Sequence, residues 1–141
     1  MKAIRWLAIL FGVYLGLVVA FESLVVVMGK RQADHGVAPD EHWVVITTKD
    51  AGGAESNTVV AGVESAGRLY VSANHWPRGW YNRARDNPDV EITRAGERVA
   101  YRAVPVTGEE RVRIARDYSV PWIFRLLTGF PPRSFLRMDP R

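Results

Sequence analysis

Residues 89–106 read Asp89-Val90-Glu91-Ile92-Thr93-Arg94-Ala95-Gly96-Glu97-Arg98-Val99-Ala100-Tyr101-Arg102-Ala103-Val104-Pro105-Val106. Val90 and Ile92 stand two apart, as do Val99, Tyr101 and Ala103. A side-chain period of two marks strands that each turn one face to a core. Arg94-Ala95-Gly96-Glu97 between them has the composition of a turn. The stretch predicts two neighbouring strands, and so a domain built mainly of β-structure.

The sequence on either side repeats this pattern. Residues 42–48 (HWVVITT) are rich in β-branched side chains and predict a strand. Residues 49–56 contain Asp50-Ala51-Gly52-Gly53 and predict a turn, and residues 57–63 a second strand. Glu64-Ser65-Ala66-Gly67 turns the chain into a third strand at 68–73 (RLYVSA). Residues 74–79 are irregular. A short helix is predicted over 80–86, stopped by Asn87-Pro88. After the quoted strands, Thr107-Gly108-Glu109-Glu110 has the spacing of a capping box and opens a helix to about Tyr118. Pro121 begins another helix to Leu127, ended by Gly129, Pro131 and Pro132, and residues 134–138 form a last strand. Six short strands with a few short helices describe a small barrel or sandwich.

The chain has 141 residues, the length of one domain, and no cysteine. That excludes disulfides, thiolate zinc sites and cysteine nucleophiles. His35, His42 and His75 are too scattered for a metal site. The formal net charge is +4, and only Lys2, Lys30 and Lys49 are lysines among the 19 basic residues. Arginine favours bidentate binding of phosphate and carboxylate, although genomic base composition also enriches it. The aromatic residues do not interleave with basic ones as in RNA-binding modules, so nucleic acid is not an expected partner.

The N-terminus is apolar. Residues 6–21 carry no charge, Glu22 and Ser23 interrupt, and Leu24-Val25-Val26-Val27-Met28 continues. As a helix, residues 6–28 would extend roughly 34 Å, enough for a bilayer core of about 30 Å. The expected organisation is a transmembrane anchor at 1–28, a linker at 29–41 and a barrel domain at 42–141. A cleaved signal peptide ending near Val18-Val19-Ala20 and a buried core helix are the competing readings. Lys2 and Arg5 on one side balance Lys30 and Arg31 on the other, so the charge rule leaves orientation undecided. A single-pass protein with a cytoplasmic domain is the working expectation.

Three words and their order resemble the split β-barrel flavin and deazaflavin oxidoreductases. These are the relatives of pyridoxamine-phosphate oxidase that include deazaflavin-dependent nitroreductases and quinone reductases. The words are Gly67-Arg68-Leu69-Tyr70-Val71-Ser72, then Gly79-Trp80-Tyr81-Asn82, then Asn87-Pro88-Asp89-Val90-Glu91-Ile92. Ala103-Val104-Pro105-Val106, Glu109-Glu110-Arg111 and Leu136-Arg137-Met138 are similar too. The resemblance covers residues 43–141 and implies a mainly β, α+β fold, a six-stranded split barrel with short helices. It also implies a membrane-anchored oxidoreductase passing a hydride from reduced deazaflavin (F420), or from FMN, to a quinone or nitro-type acceptor. Homodimers are common in such barrels. The chain departs from the family at Gly52-Gly53-Ala54-Glu55-Ser56-Asn57-Thr58-Val59-Val60, which lacks the family's Arg and Thr-Pro elements and carries an acidic Glu55. A non-catalytic module binding flavin, haem or a lipid-like ligand is the alternative.

A borrowed hydride carrier does the difficult chemistry itself, and the protein must hold a flat ring and a phosphate. Ser72 and Asn74 offer hydrogen bonds, and His75, Arg78, Gly79 and Arg83 flank the helix start where free N–H groups favour phosphate. Trp80 would pack on the ring or sit in the core; Arg78, Arg83 and His75 would serve the site or the surface. Tyr118 is the candidate proton donor to a reduced acceptor. The apolar stretch Trp122-Ile123-Phe124-Arg125-Leu126-Leu127 with Phe130 is either a core helix or a hydrophobic entrance at the membrane, with Arg125 and Arg133 at the headgroups.

Overall fold

A computed structural model describes residues 2–34, 42–73 and 79–141. The described residues form helix α1 (Lys2–Asp34), strands β1 (Trp43–Lys49), β2 (Glu55–Ser65) and β3 (Arg68–Ala73), helix α2 (Gly79–Asp86), strands β4 (Asp89–Arg94) and β5 (Glu97–Pro105), helices α3 (Gly108–Asp117) and α4 (Trp122–Leu127), and strand β6 (Ser134–Pro140). The strands close into a barrel in the order β1-β2-β3-β6-β5-β4, with every neighbouring pair antiparallel. Closure leaves the sheet no free edge.

Strand alternation divides the apolar residues into two layers. Val44, Ile46, Val60, Val71, Val90, Ile92, Ala103, Leu136 and Met138 fill the barrel, joined by Trp80 and Ala84 of α2. The residues of opposite parity, Val63, Tyr70 and Phe135, form an outer layer with Val106 and with Ile114 of α3. Val99 shares parity with Tyr101 and Ala103 but is 39% exposed, because the inward face opens toward that end of β5. Helix α3 is also tied down by polar contacts. Tyr70 Oη donates to Glu110 Oε1 at 2.9 Å, and Arg137 Nη1 donates to both oxygens of Glu110 at 3.2 Å. Arg137 also binds Asp139 bidentately at 2.7 and 2.9 Å.

That network corrects the capping-box expectation. Thr107 is the N-cap of α3 but makes no side-chain cap hydrogen bond. The Glu110 carboxylate that would have completed the box is engaged by Tyr70 and Arg137. Strand β2 runs further than expected at both ends, so Glu64 and Ser65 belong to it and the turn shrinks to Ala66-Gly67. Both residues have positive φ, 50° and 72°, as do Ala95 (51°) and Gly96 (82°) in the next hairpin. This is the geometry of two-residue turns matched to strand twist. Helix α1 continues past Met28 to Asp34, making the first part of the expected linker helical.

Helix α1 is long and apolar enough to cross a membrane over Lys2–Gln32. Large apolar side chains are exposed around its circumference, among them Trp6, Leu10, Phe11, Leu17 and Val19. One stripe is covered: Tyr14, Val18, Phe21, Glu22, Val25 and Gly29 are buried or half-buried, at helical spacing. The helix packs along β2 and against α4. Tyr14 Oη donates to the Leu126 carbonyl at 2.8 Å, and Phe21 meets Phe124 edge-on at 6.0 Å.

Candidate functional site

Helix α2 seals one end of the barrel. Trp80 is 5% exposed and lies among the inward-facing residues, with its ring edge-on to Tyr81 at 5.7 Å. It therefore belongs to the core, and a stacking role on a ring is not what its surroundings provide. Its burial fixes where α2 begins. Gly79 is the first residue of that helix.

Arg83 stands four residues after Gly79, on the same helix face, and helical side chains lean toward the N-terminus. Its Nη1 lies 2.9 Å from the position a Cβ on Gly79 would take. Its Nε donates to Thr48 Oγ1 at 3.0 Å, and Thr48 is fully buried at the end of β1. The guanidinium is thus held beside the first turn of α2, whose unpaired N–H groups carry partial positive charge. Two positive ends placed together form a receptive position for an anion.

Ser72 sits on the other side of β3. Val71 and Ala73 point into the barrel, so Ser72 points outward with Tyr70, opposite Phe135 of β6. It is 4% exposed, and its Oγ has no hydrogen-bond partner among the described residues. A hydroxyl buried without a partner costs roughly 1–3 kcal/mol. Tyr118 caps the C-terminus of α3 through its backbone N–H to Ile114 O, and its ring packs on the same outer layer. The Arg133 guanidinium lies 5.3 Å from both the Tyr118 and Phe135 rings.

The sequence-selected residues therefore fall into two groups. Gly79, Trp80 and Arg83 meet at the barrel end, and Ser72 and Tyr118 share the outer layer on either side of Phe135. Asn74, His75 and Arg78 lie outside the described residues. Sequence reasoning missed Thr48, whose signal was a polar residue with the inward parity of Val44 and Ile46. The acidic Glu55 is taken up in ion pairs with Lys49 at 3.4 Å and Arg98 at 3.0 Å, while Arg98 also pairs with Glu91. The hydrogen bond from Arg98, then that from Lys49, holds its carboxyl below the usual range. Glu55 thus serves the sheet. Among the described residues no cluster of His, Asp or Glu could hold a metal ion.

The orphaned Ser72 hydroxyl, in the outer layer, and the Arg83 cation, beside the α2 start, are thus separate features. The closed six-strand order with a helix plugging one end defines a split β-barrel. No protein-family model matches the chain, and no curated protein sequence matches it. Solved structures share its fold. One is an F420-H2-dependent reductase, FDR-A, 18% identical with a TM-score of 0.56, matched over 73% of this chain and 98% of its own. Another is a domain-swapped dimer, 17% identical with a TM-score of 0.59, matched over 80% and 91%. A third is the haem storage protein HutZ from Vibrio cholerae, 15% identical with a TM-score of 0.53, matched over 72% and 83%. At these identities the likeness establishes the fold.

Proposed function

We propose that this chain is a membrane-anchored oxidoreductase that uses reduced F420, with FMN as the alternative carrier, to reduce a quinone or nitro-type acceptor. The observation that carries the reading is the Arg83 guanidinium held by Thr48 beside Gly79 at the start of α2. An F420-H2-dependent reductase of the same fold supports it.

The cofactor supplies the hydride; the chain's residues bind, orient and protonate. Gly79 and Arg83 receive the phosphate, with Thr48 fixing the guanidinium so that little side-chain freedom is lost on binding. Asn74, His75 and Arg78 complete the proposed binding segment. Trp80 positions α2 from within the core. Tyr118 donates the proton that a reduced quinone requires and regains one from solvent. The anchor places the barrel beside lipid-soluble acceptors, with the domain in the cytoplasm. The protein works as a homodimer, a reading supported by the domain-swapped dimer of this fold.

The test is equilibrium binding of F420, FMN and haem to the full chain in lipid nanodiscs. F420 should bind, and Arg83→Gln should weaken it by roughly 10- to 100-fold, the worth of a charge-assisted hydrogen bond of about 1.5–3 kcal/mol. Haem binding without F420 or FMN binding would replace the enzyme by a non-catalytic haem-binding module.

A further inference from the structure

The helix pair α3–α4 carries the features left over from the redox reading. Trp122 is 71% exposed, Ile123 48% and Phe130 52%. Of the aromatic pair in this stretch, only Phe124 turns inward, against Phe21 of α1. Beside these side chains lies an open cleft of about 540 Å³, lined by Arg111, Arg125 and Arg133 with Val112 and Phe130. No acidic residue lines it. Arg133 Nη1 and Nη2 donate to the carbonyls of Ala115 and Tyr118, while its Nε is buried and has no partner among the described residues. Arg125 lies 5.7 Å from the Phe130 ring. Burial lowers the Arg133 pKa, the Tyr118 charge works against this, and Arg125 and Arg111 add to the lowering.

Helix geometry relates this face to a bilayer. The covered stripe of α1 begins at Tyr14, so only residues 2–13 stand clear of the domain. At 1.5 Å per residue these reach roughly 18 Å, short of a hydrocarbon core of about 30 Å. Residues 6–21, the uncharged run that ends at the Phe21–Phe124 contact, reach about 24 Å. Crossing thus requires the part of the domain that covers Tyr14 to Phe21 to enter the membrane. That part includes α4, through Leu126 and Phe124. The distance from Tyr14 to Phe21 along the helix is about 10 Å, the depth at which interfacial helices lie.

We infer that α4 is immersed in the near leaflet beside α1, with Trp122, Ile123, Leu127 and Phe130 among the acyl chains, and that the Arg111–Arg125–Arg133 cleft receives the headgroup phosphate of an anionic phospholipid. The assignment rests on the proposed membrane anchor and not on the redox reading. Continuity with an apolar helix and a cleft of one sign of charge both point to lipid.

The chain has no cysteine, so single substitutions give unique labels. Full-length Ile123→Cys and Glu97→Cys are spin-labelled and reconstituted into phosphatidylcholine vesicles with or without phosphatidylglycerol; Trp122→Cys provides a second label on α4. The label at 123 should be protected from a water-soluble relaxant and relaxed by oxygen, while that at 97, exposed at the start of β5, is relaxed by the water-soluble agent. Wild-type protein released in mild detergent should retain phosphatidylglycerol over phosphatidylcholine by native mass spectrometry. Each of Arg111→Gln and Arg125→Gln should reduce that preference about fivefold, corresponding to about 1 kcal/mol per basic residue at the surface. Equal aqueous exposure at 122, 123 and 97 would overturn immersion. Protection that arises in lipid-free detergent and rises with protein concentration would assign the face to a second copy and overturn it as well. Retention of both lipids alike would overturn the headgroup site.

Discussion

Arg83 and Gly79 act as a pair because a helix places residues four apart on one face. Gly79 leaves room for the guanidinium, and a methyl there would meet Nη1 at 2.9 Å. Gly79→Ala should displace the tip of Arg83 and weaken F420 binding severalfold while changing thermal stability little. Unaltered binding in a titration would show that the guanidinium does not touch the cofactor. The cluster at Arg137 gives a separate, purely structural prediction. Hydrogen bonds from Arg137 hold the Asp139 carboxyl below its usual range. Burial pushes Glu110 up, but hydrogen bonds from Tyr70 and Arg137 outweigh it and the net shift is downward. Both folded pKa values lie below the unfolded ones. The stabilisation is therefore present above the ordinary carboxylate range of about pH 4 and is lost as pH falls through the folded values. Arg137→Gln should lower stability near neutrality by about 1 kcal/mol, allowing for partial exposure of the cluster. Wild type and variant should converge in acid, as thermal unfolding over a pH series would show.

At the scale of elements, the turns and caps make the sharpest forecasts. Ala66 and Ala95 occupy left-handed backbone that favours Asn or Gly. Ala95→Asn, giving Asn-Gly in the hairpin, should stabilise the domain by about 0.5–1 kcal/mol and raise its Tm. Thr107→Ala should change stability by less than about 0.5 kcal/mol, since no cap hydrogen bond is lost, whereas a working cap would cost about 1 kcal/mol. The fourth strand was legible from alternation, as Val90 and Ile92 show, because a two-residue period and inward burial are the same fact, whereas β1 was legible from its β-branched run and is buried on both faces. The fate of Glu110 was not, since its spacing from Thr107 satisfies a local motif while Arg137, its partner, is brought in only by β6. Trp80 shows the same limit: local sequence located its helix but could not say which face closes the barrel. Ser72 was legible as polar in an apolar strand. Its burial without a partner is a product of the outer layer.

The whole molecule joins a closed barrel to a helix whose exposed surface is apolar on nearly every side. Such a helix is long and apolar enough to cross a bilayer. The barrel buries the Ser72 hydroxyl without a partner among the described residues and, through Thr48, holds the Arg83 guanidinium beside the start of α2. In the proposed reading a borrowed carrier supplies the reactive atoms. The central claim is that those atoms belong to reduced F420. The most direct measurement is anaerobic reoxidation of reduced F420, followed by its absorbance, with the full chain in nanodiscs and menaquinone as acceptor. Wild type should reoxidise the cofactor at a rate that rises with quinone, and Arg83→Gln should slow it at subsaturating cofactor. A rate no faster than the protein-free control, with F420 and with FMN alike, would contradict the account.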